Sequence, residues 1–307
     1  MGIIFKDYES SGPGIAKNAP QKKGAALFFE LLFRNISTIT SVNLLYFIFF
    51  LPLVAIVAAI SFIKNYTVVM VVTGVMLAAF AVLIGPATAA VANIMRKLYL
   101  RRHTFVVRDF FRAFRDGFKK ASAIGILGIL VALSAGASLY VYPQFAIQSG
   151  NKMWYVPMVI TLSLAIVAAM MNFYIYLMLT ATDLSLKDLL KNSFSLAFIA
   201  MKTNLLTLLI TAVIAVLMFL LFLYFEYICV ILLPFIPAAI MWFVITFCCY
   251  PVIQKYVIDP YYTSLGEVNP EHMSAAELSD EETLFEDMGG KEKPIEKRKK
   301  GKGKRIS

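Results

Sequence analysis

Six long apolar stretches dominate the chain: residues 42–63, 67–94, 121–141, 154–180, 205–224 and 227–252. A helix needs about 20 apolar residues to cross the hydrocarbon of a bilayer. The pattern therefore predicts an all-α membrane protein with six transmembrane helices. The last two stretches are separated only by Glu226. Residues 205–254 are too many for one crossing, so length alone sets the reversal at Glu226. Ahead of the first stretch, residues 1–24 are polar and turn-rich, and residues 25–38 have the mixed pattern of an interfacial helix. Three segments follow: an N-terminal arm with an interfacial helix over 1–40, a six-span membrane domain over 41–254, and a charged tail over 255–307 that reads as largely disordered.

Charge gives these spans a direction. Of 29 Lys and Arg, all but Lys64 and Lys152 fall in segments on one side of the alternating spans. Basic loops stay on the cytoplasmic side, so both termini are expected there and the protein is expected in the cell membrane. Tyr66, Tyr140, Tyr142, Trp154, Tyr155, Tyr224 and Tyr227 gather at the opposite boundary as an aromatic belt. In the tail, the acid-rich residues 267–287 could form a short helix closed by Gly289 and Gly290, and a basic run follows. Residues 1–24 hold no apolar core of a signal peptide, so none is expected.

Composition agrees with this picture. Hydrophobic residues make up 60% of the chain and charged residues 16%, with a net charge of +10. No DNA- or RNA-reading module accompanies the positive charge, so nucleic acid is not an expected partner and anionic lipid headgroups are. Cys229, Cys248 and Cys249 lack metal-type spacing and read as core residues. Neither a metal nor another cofactor is expected.

The most informative polar segment is residues 105–120. Val107, Phe110, Phe111, Phe114 and Phe118 recur at helical spacing, and Arg108, Arg112, Arg115 and Lys119 occupy the remainder. Such a helix either lies at the headgroup boundary or docks a partner. A second stripe, Gly125, Gly128, Ala132 and Gly136, keeps to one side of the third span and reads as a helix-packing face. Pro52, Pro86, Pro234 and Pro237 fall within spans and read as helix kinks. A weak internal repeat also shows: Glu30, Asp109 and Asp188 each precede two large apolar residues and lie 79 residues apart.

No Asp, Glu, Lys, Arg or His lies inside any expected span. Ion-coupled carriers need such charges. Asn172 is the one Asn inside a span interior and is expected to bond across helices. No phosphate-binding loop, zinc motif or nucleophile elbow occurs, so the chain does not read as an enzyme.

Three pieces carry a family resemblance: Asn43-Leu44-Leu45 with Leu51-Pro52-Leu53, then Ile84-Gly85-Pro86-Ala87-Thr88-Ala89-Ala90, then Phe105 with Asp109-Phe110-Phe111-Arg112-Ala113-Phe114. Together they resemble the YesL-like family of bacterial integral membrane proteins. The resemblance implies an association with carbohydrate uptake. The expected function is an accessory or small membrane component of an uptake system, with its membrane proteins as partners. The other reading is a non-transporting adaptor that docks a cytoplasmic partner or anionic lipid through residues 105–120.

Overall fold

The computed structural model describes residues 23–267 and 269–271. The first part of the arm, the acid-rich helix expected within 267–287, most of the tail and His272 lie outside the described residues. Two units are present. In the first, helix α1 (Ala25–Arg34) stacks Phe29 on Phe33 and brings Glu30 within 3.9 Å of Arg34 at the i,i+4 spacing.

The second unit runs through α2 (Ile36–Ile48), α3 (Leu51–Phe62), α4 (Tyr66–Tyr99), α5 (Val106–Asp116), α6 (Phe118–Ser149), α7 (Tyr155–Ala181), α8 (Leu186–Ile199), α9 (Met201–Tyr224), α10 (Glu226–Leu232), α11 (Pro237–Ile253) and α12 (Asp259–Leu265). Among the described residues, five helices are long and apolar enough to cross a membrane, or six if one bent pair counts as a single span. The five are α4, α6, α7, α9 and α11 with its continuation. The protein is an all-α membrane protein. Two expected spans are instead divided: 42–63 between α2 and α3, each too short alone, and 227–252 between α10 and α11, of which α11 with its continuation is long enough. The final helix runs past 254, widens through one π turn at Gln254–Ile258 and continues as α12.

The four expected kinks are not equivalent. Pro52 and Pro237 stand in the first turns of α3 and α11, where a missing N–H is tolerated. Pro234 falls in the break between α10 and α11. Pro86 alone of the four lies inside a helix.

Helix α4 is the hub, packing against α2, α3, α5, α6, α7 and α11. Its second half is buried from Gly85 to Ala92, because small side chains there let neighbours approach closely. The closest approach is to α6: a Cβ built on Gly85 would lie 2.0 Å from the Ala121 carbonyl oxygen, and one on Gly125 2.8 Å from Gly85 Cα. The expected small-residue stripe therefore divides. Gly125 is locked between helices, whereas an added Cβ on Gly128 or Gly136 would meet nothing within 4 Å. Gly125, Gly128 and Ala132 also line a cavity of about 490 Å³ together with Tyr46, Asn172, Tyr176 and Trp242.

Where helices break, two amides replace lost backbone bonds. Asn43, 1% exposed on α2, donates to Leu233 O at 3.0 Å and accepts from Ala239 N at 2.8 Å, so it bridges the gap between α10 and α11. Asn204 donates to Leu196 O and Ala197 O at the end of α8 and accepts a hydrogen bond from Tyr174 on α7.

Two stability predictions follow from these contacts. Asn43→Ala would strand a carbonyl and an amide, each costing about 1–3 kcal/mol. It should lower the melting temperature in detergent clearly. Gly125→Ala should also destabilise through backbone overlap, while Gly128→Ala should be neutral or slightly favourable because Ala is the better helix former. Equal melting temperatures for the two glycine variants would contradict the packing described.

Candidate functional site

The polar side chains concentrate at the end of the bundle where α4 finishes. Arg96 and Lys97 occupy its last turns, and each is held by a carboxylate. Arg96 Nη2 lies 3.4 Å from Glu271 Oε1, Nη1 donates to Thr180 O at the end of α7, and the guanidinium sits 5.8 Å over the Tyr250 ring. Tyr250 Oη lies 2.8 and 2.6 Å from the two Glu271 oxygens, and Gln254 Nε2 donates to Oε2 at 3.1 Å. Gln254 opens the π turn. Asn269 accepts from the Glu271 backbone amide and donates to Asp259, which fixes the segment carrying Glu271 against α12. One donor of this hub, Arg96 Nε, is buried with no protein partner.

The second pair ties α5 to α4. Lys97 Nζ lies 2.8 Å from Asp109 Oδ2, and the Phe105 amide donates to the same oxygen at 3.2 Å. Burial by itself would push the Asp109 carboxyl upward. The Lys97 hydrogen bond and charge, the Phe105 amide and the Arg112 charge outweigh it and hold the group below its ordinary value.

Helix α5 is thereby docked by one half of its circumference. Phe110 is fully buried and stacks on Phe49 at 6.0 Å, and Phe114 stacks on the same ring at 5.0 Å and meets Phe118 at 5.6 Å. Val107 and Phe111 stay 60% and 50% exposed, and Arg108, Arg112 and Arg115 are exposed as well. The apolar stripe predicted as one face is therefore two: an inner part that packs and an outer part that does not.

Arg112 and Arg115 face the same space as Arg96, Lys97, Lys119 and Lys120. This is a cavity of about 830 Å³ between α4, α5, the start of α6 and the end of α7, with Asp116 and Asp183 as its carboxylates. The prolines and the glycine stripe are not part of it. Sequence reading missed Arg96, Lys97, Tyr250, Gln254 and Glu271 as a group. Arg96 follows directly on the small-residue motif of α4, a usable signal, but no spacing rule links it to a residue as distant as Glu271.

Residues 39–139 match a family model described as "Protein of unknown function, DUF624". The match spans α2 through most of α6, and so includes Asn43, both tight glycines, Arg96, Lys97 and Asp109, but not Tyr250 or Glu271. No curated protein and no solved structure matches the chain.

The Asp109 shift has a signed consequence. A carboxyl held low in the fold contributes stability that is present above its unfolded value, about 3.9, and is lost as pH falls through the folded value. Acid titration followed by thermal melting should show this loss in the wild type. Asp109→Asn should be less stable at pH 7 and lack that component. An unchanged acid limb in the variant would remove Asp109 from the account.

Proposed function

We propose that the protein is a non-enzymatic membrane adaptor of the cell membrane, with its basic end in the cytoplasm, and that α5 is its docking helix. The observation that carries this reading is the division of α5. Its inner half is fixed by Phe110 and the Lys97–Asp109 pair, and its outer half offers Val107 and Phe111 beside Arg108. A surface that is part apolar and part cationic, on a helix that cannot rotate, suits anionic headgroups or the acidic face of a partner protein. The charge bias supports the orientation.

A second reading rests on the resemblance to YesL-like proteins, which adds an accessory role in bacterial carbohydrate uptake. The feature that favours it is the 490 Å³ cavity, where Tyr176, Trp242 and Asn172 could meet a sugar ring. The hydroxyls of Tyr46 and Thr88 are already engaged there, since Thr88 donates to Ile84 O and accepts from Tyr46. Few polar groups remain for a sugar's hydroxyls, so the adaptor reading stands first.

In a background without the three native cysteines, Lys64→Cys and Lys152→Cys should label from outside intact cells and His103→Cys should not. Labelling of position 103 would overturn the orientation. For docking, a photo-crosslinking residue at Val107 or Arg108 should capture the same polypeptide in native cells, and Phe111→Ser with Arg108→Glu should abolish the product. If lipid-borne quenchers reach a probe at position 107 and no protein crosslinks, α5 meets lipid alone. If neither occurs, the docking function is wrong.

A further inference from the structure

We propose that the basic cavity beside α5 is a binding site for a phosphate group, carried by a phospholipid headgroup or by a small soluble phosphate compound. Its lining includes neither Val107 nor Phe111, and it does not depend on the adaptor reading.

Four observations converge on it. Six cations from three helices line one space; Asp116 and Asp183 stand in its wall and Glu271 and Asp109 pair Arg96 and Lys97, which leaves two positive charges in excess. Like charges packed this way repel, and an anion entering between them offsets that cost. The surplus suits a phosphate group, which carries one negative charge as a lipid diester and about −1.5 to −2 as a monoester. The arginines add planar donor forks that match phosphate oxygens. Next, the first turn of α6 lines the same cavity. That helix is 32 residues long, and its N-cap is Gly117, which has no side-chain acceptor to occupy the first amides. A long helix directs unpaired N–H groups and the positive end of its dipole at such a space. Third, Arg96 is fixed at the cavity wall, its Nη1 donating to Thr180 O and its Nη2 held by Glu271, so its charge stays in place. Finally, a volume of about 830 Å³ exceeds what a bare ion needs and falls in the range of small-molecule sites, about 300–1,000 Å³. The ligand therefore brings a body as well as its phosphate.

The test uses the full-length protein in nanodiscs of phosphatidylcholine, in phosphate-free buffer. One arm titrates inorganic phosphate by calorimetry. The other adds phosphatidylglycerol to the discs and reads retained lipid by native mass spectrometry. Wild type should bind at least one probe saturably, and chloride at equal ionic strength should not displace it. Arg115→Gln with Lys120→Gln should weaken that binding about tenfold or more. Arg108→Gln, outside the cavity, should leave it unchanged. Saturable phosphate binding identifies a soluble source, and retention of phosphatidylglycerol alone identifies a lipid source. Should the double variant not fold, protection of Lys119 and Lys120 of the wild type from an amine reagent by the bound probe reads the same contact. Absence of saturable binding to either probe, displacement by chloride, or unchanged affinity in a folded double variant overturns the site. None of these outcomes bears on crosslinking at Val107, so the two readings fail separately.

Discussion

A backbone polar group in hydrocarbon has no water to bond, and this constraint governs every irregularity in the bundle. Continuous helices satisfy it within themselves. The breaks do not, and two of them, between α10 and α11 and at the end of α8, are served by a side-chain amide from another helix. At the α10–α11 break the requirement is one donor and one acceptor, 196 residues from Asn43 in sequence at its far side. A primary amide supplies both without a charge, whereas an Asp could only accept and would need a counter-ion. Asn204 serves the end of α8 as a donor, to Leu196 O and Ala197 O, while its oxygen accepts from Tyr174 and so orients the amide. The breaks are therefore fixed crossing points and not loose hinges.

The second organising fact is the length of α4. At 1.5 Å per residue its 34 residues extend about 51 Å, against roughly 30 Å of hydrocarbon. The excess at one end carries Arg96 and Lys97 clear of the apolar run. The tight Gly85–Gly125 crossing then brings the start of α6, with Lys119 and Lys120, against that same extension. Backbone contact in the membrane and charge clustering at its edge are thus consequences of one geometry. Larger side chains at the glycines would separate the helices and disperse the cations.

The helical class, the long apolar helices and the reversal at Glu226 were legible because each depends on local runs of apolar residues. The amphipathic character of α5 was legible for the same reason. What periodicity could not supply was which part of a face is covered. Phe110 and Phe111 are adjacent in sequence and both apolar, yet one is buried and the other half exposed, because only Phe110 meets Phe49. Gly125 and Gly128 share a stripe, but only Gly125 meets a backbone that comes close. Asn204 lies just outside the expected span 205–224 and Asn43 is the second residue of 42–63, so both stand at span boundaries where a polar residue draws no notice. The Arg96–Glu271 pair joins distant segments through tertiary packing alone, which no sequence window contains.

The two ion pairs also explain how a crowd of cations is tolerated beside a membrane domain. Exposed pairs contribute little, but Arg96 and Glu271 are largely buried, at 14% and 10% side-chain exposure. Their mutual attraction has to offset desolvation, and the three-way clamp of Tyr250, Gln254 and Thr180 supplies the extra hydrogen bonds that such a pair requires. Lys97 is similarly committed to Asp109. These two pairs act inward, anchoring the π turn and α5 to the hub helix. The remaining cations of α5 and α6 face the cavity. Because Asp109 and Phe110 hold α5 from within, its exposed residues keep fixed positions: Val107, Arg108 and Phe111 on its surface, and Arg112 and Arg115 at the cavity wall. One short helix therefore presents apolar and cationic residues in a set arrangement, and the ion pair beneath it is what ties that arrangement to α4.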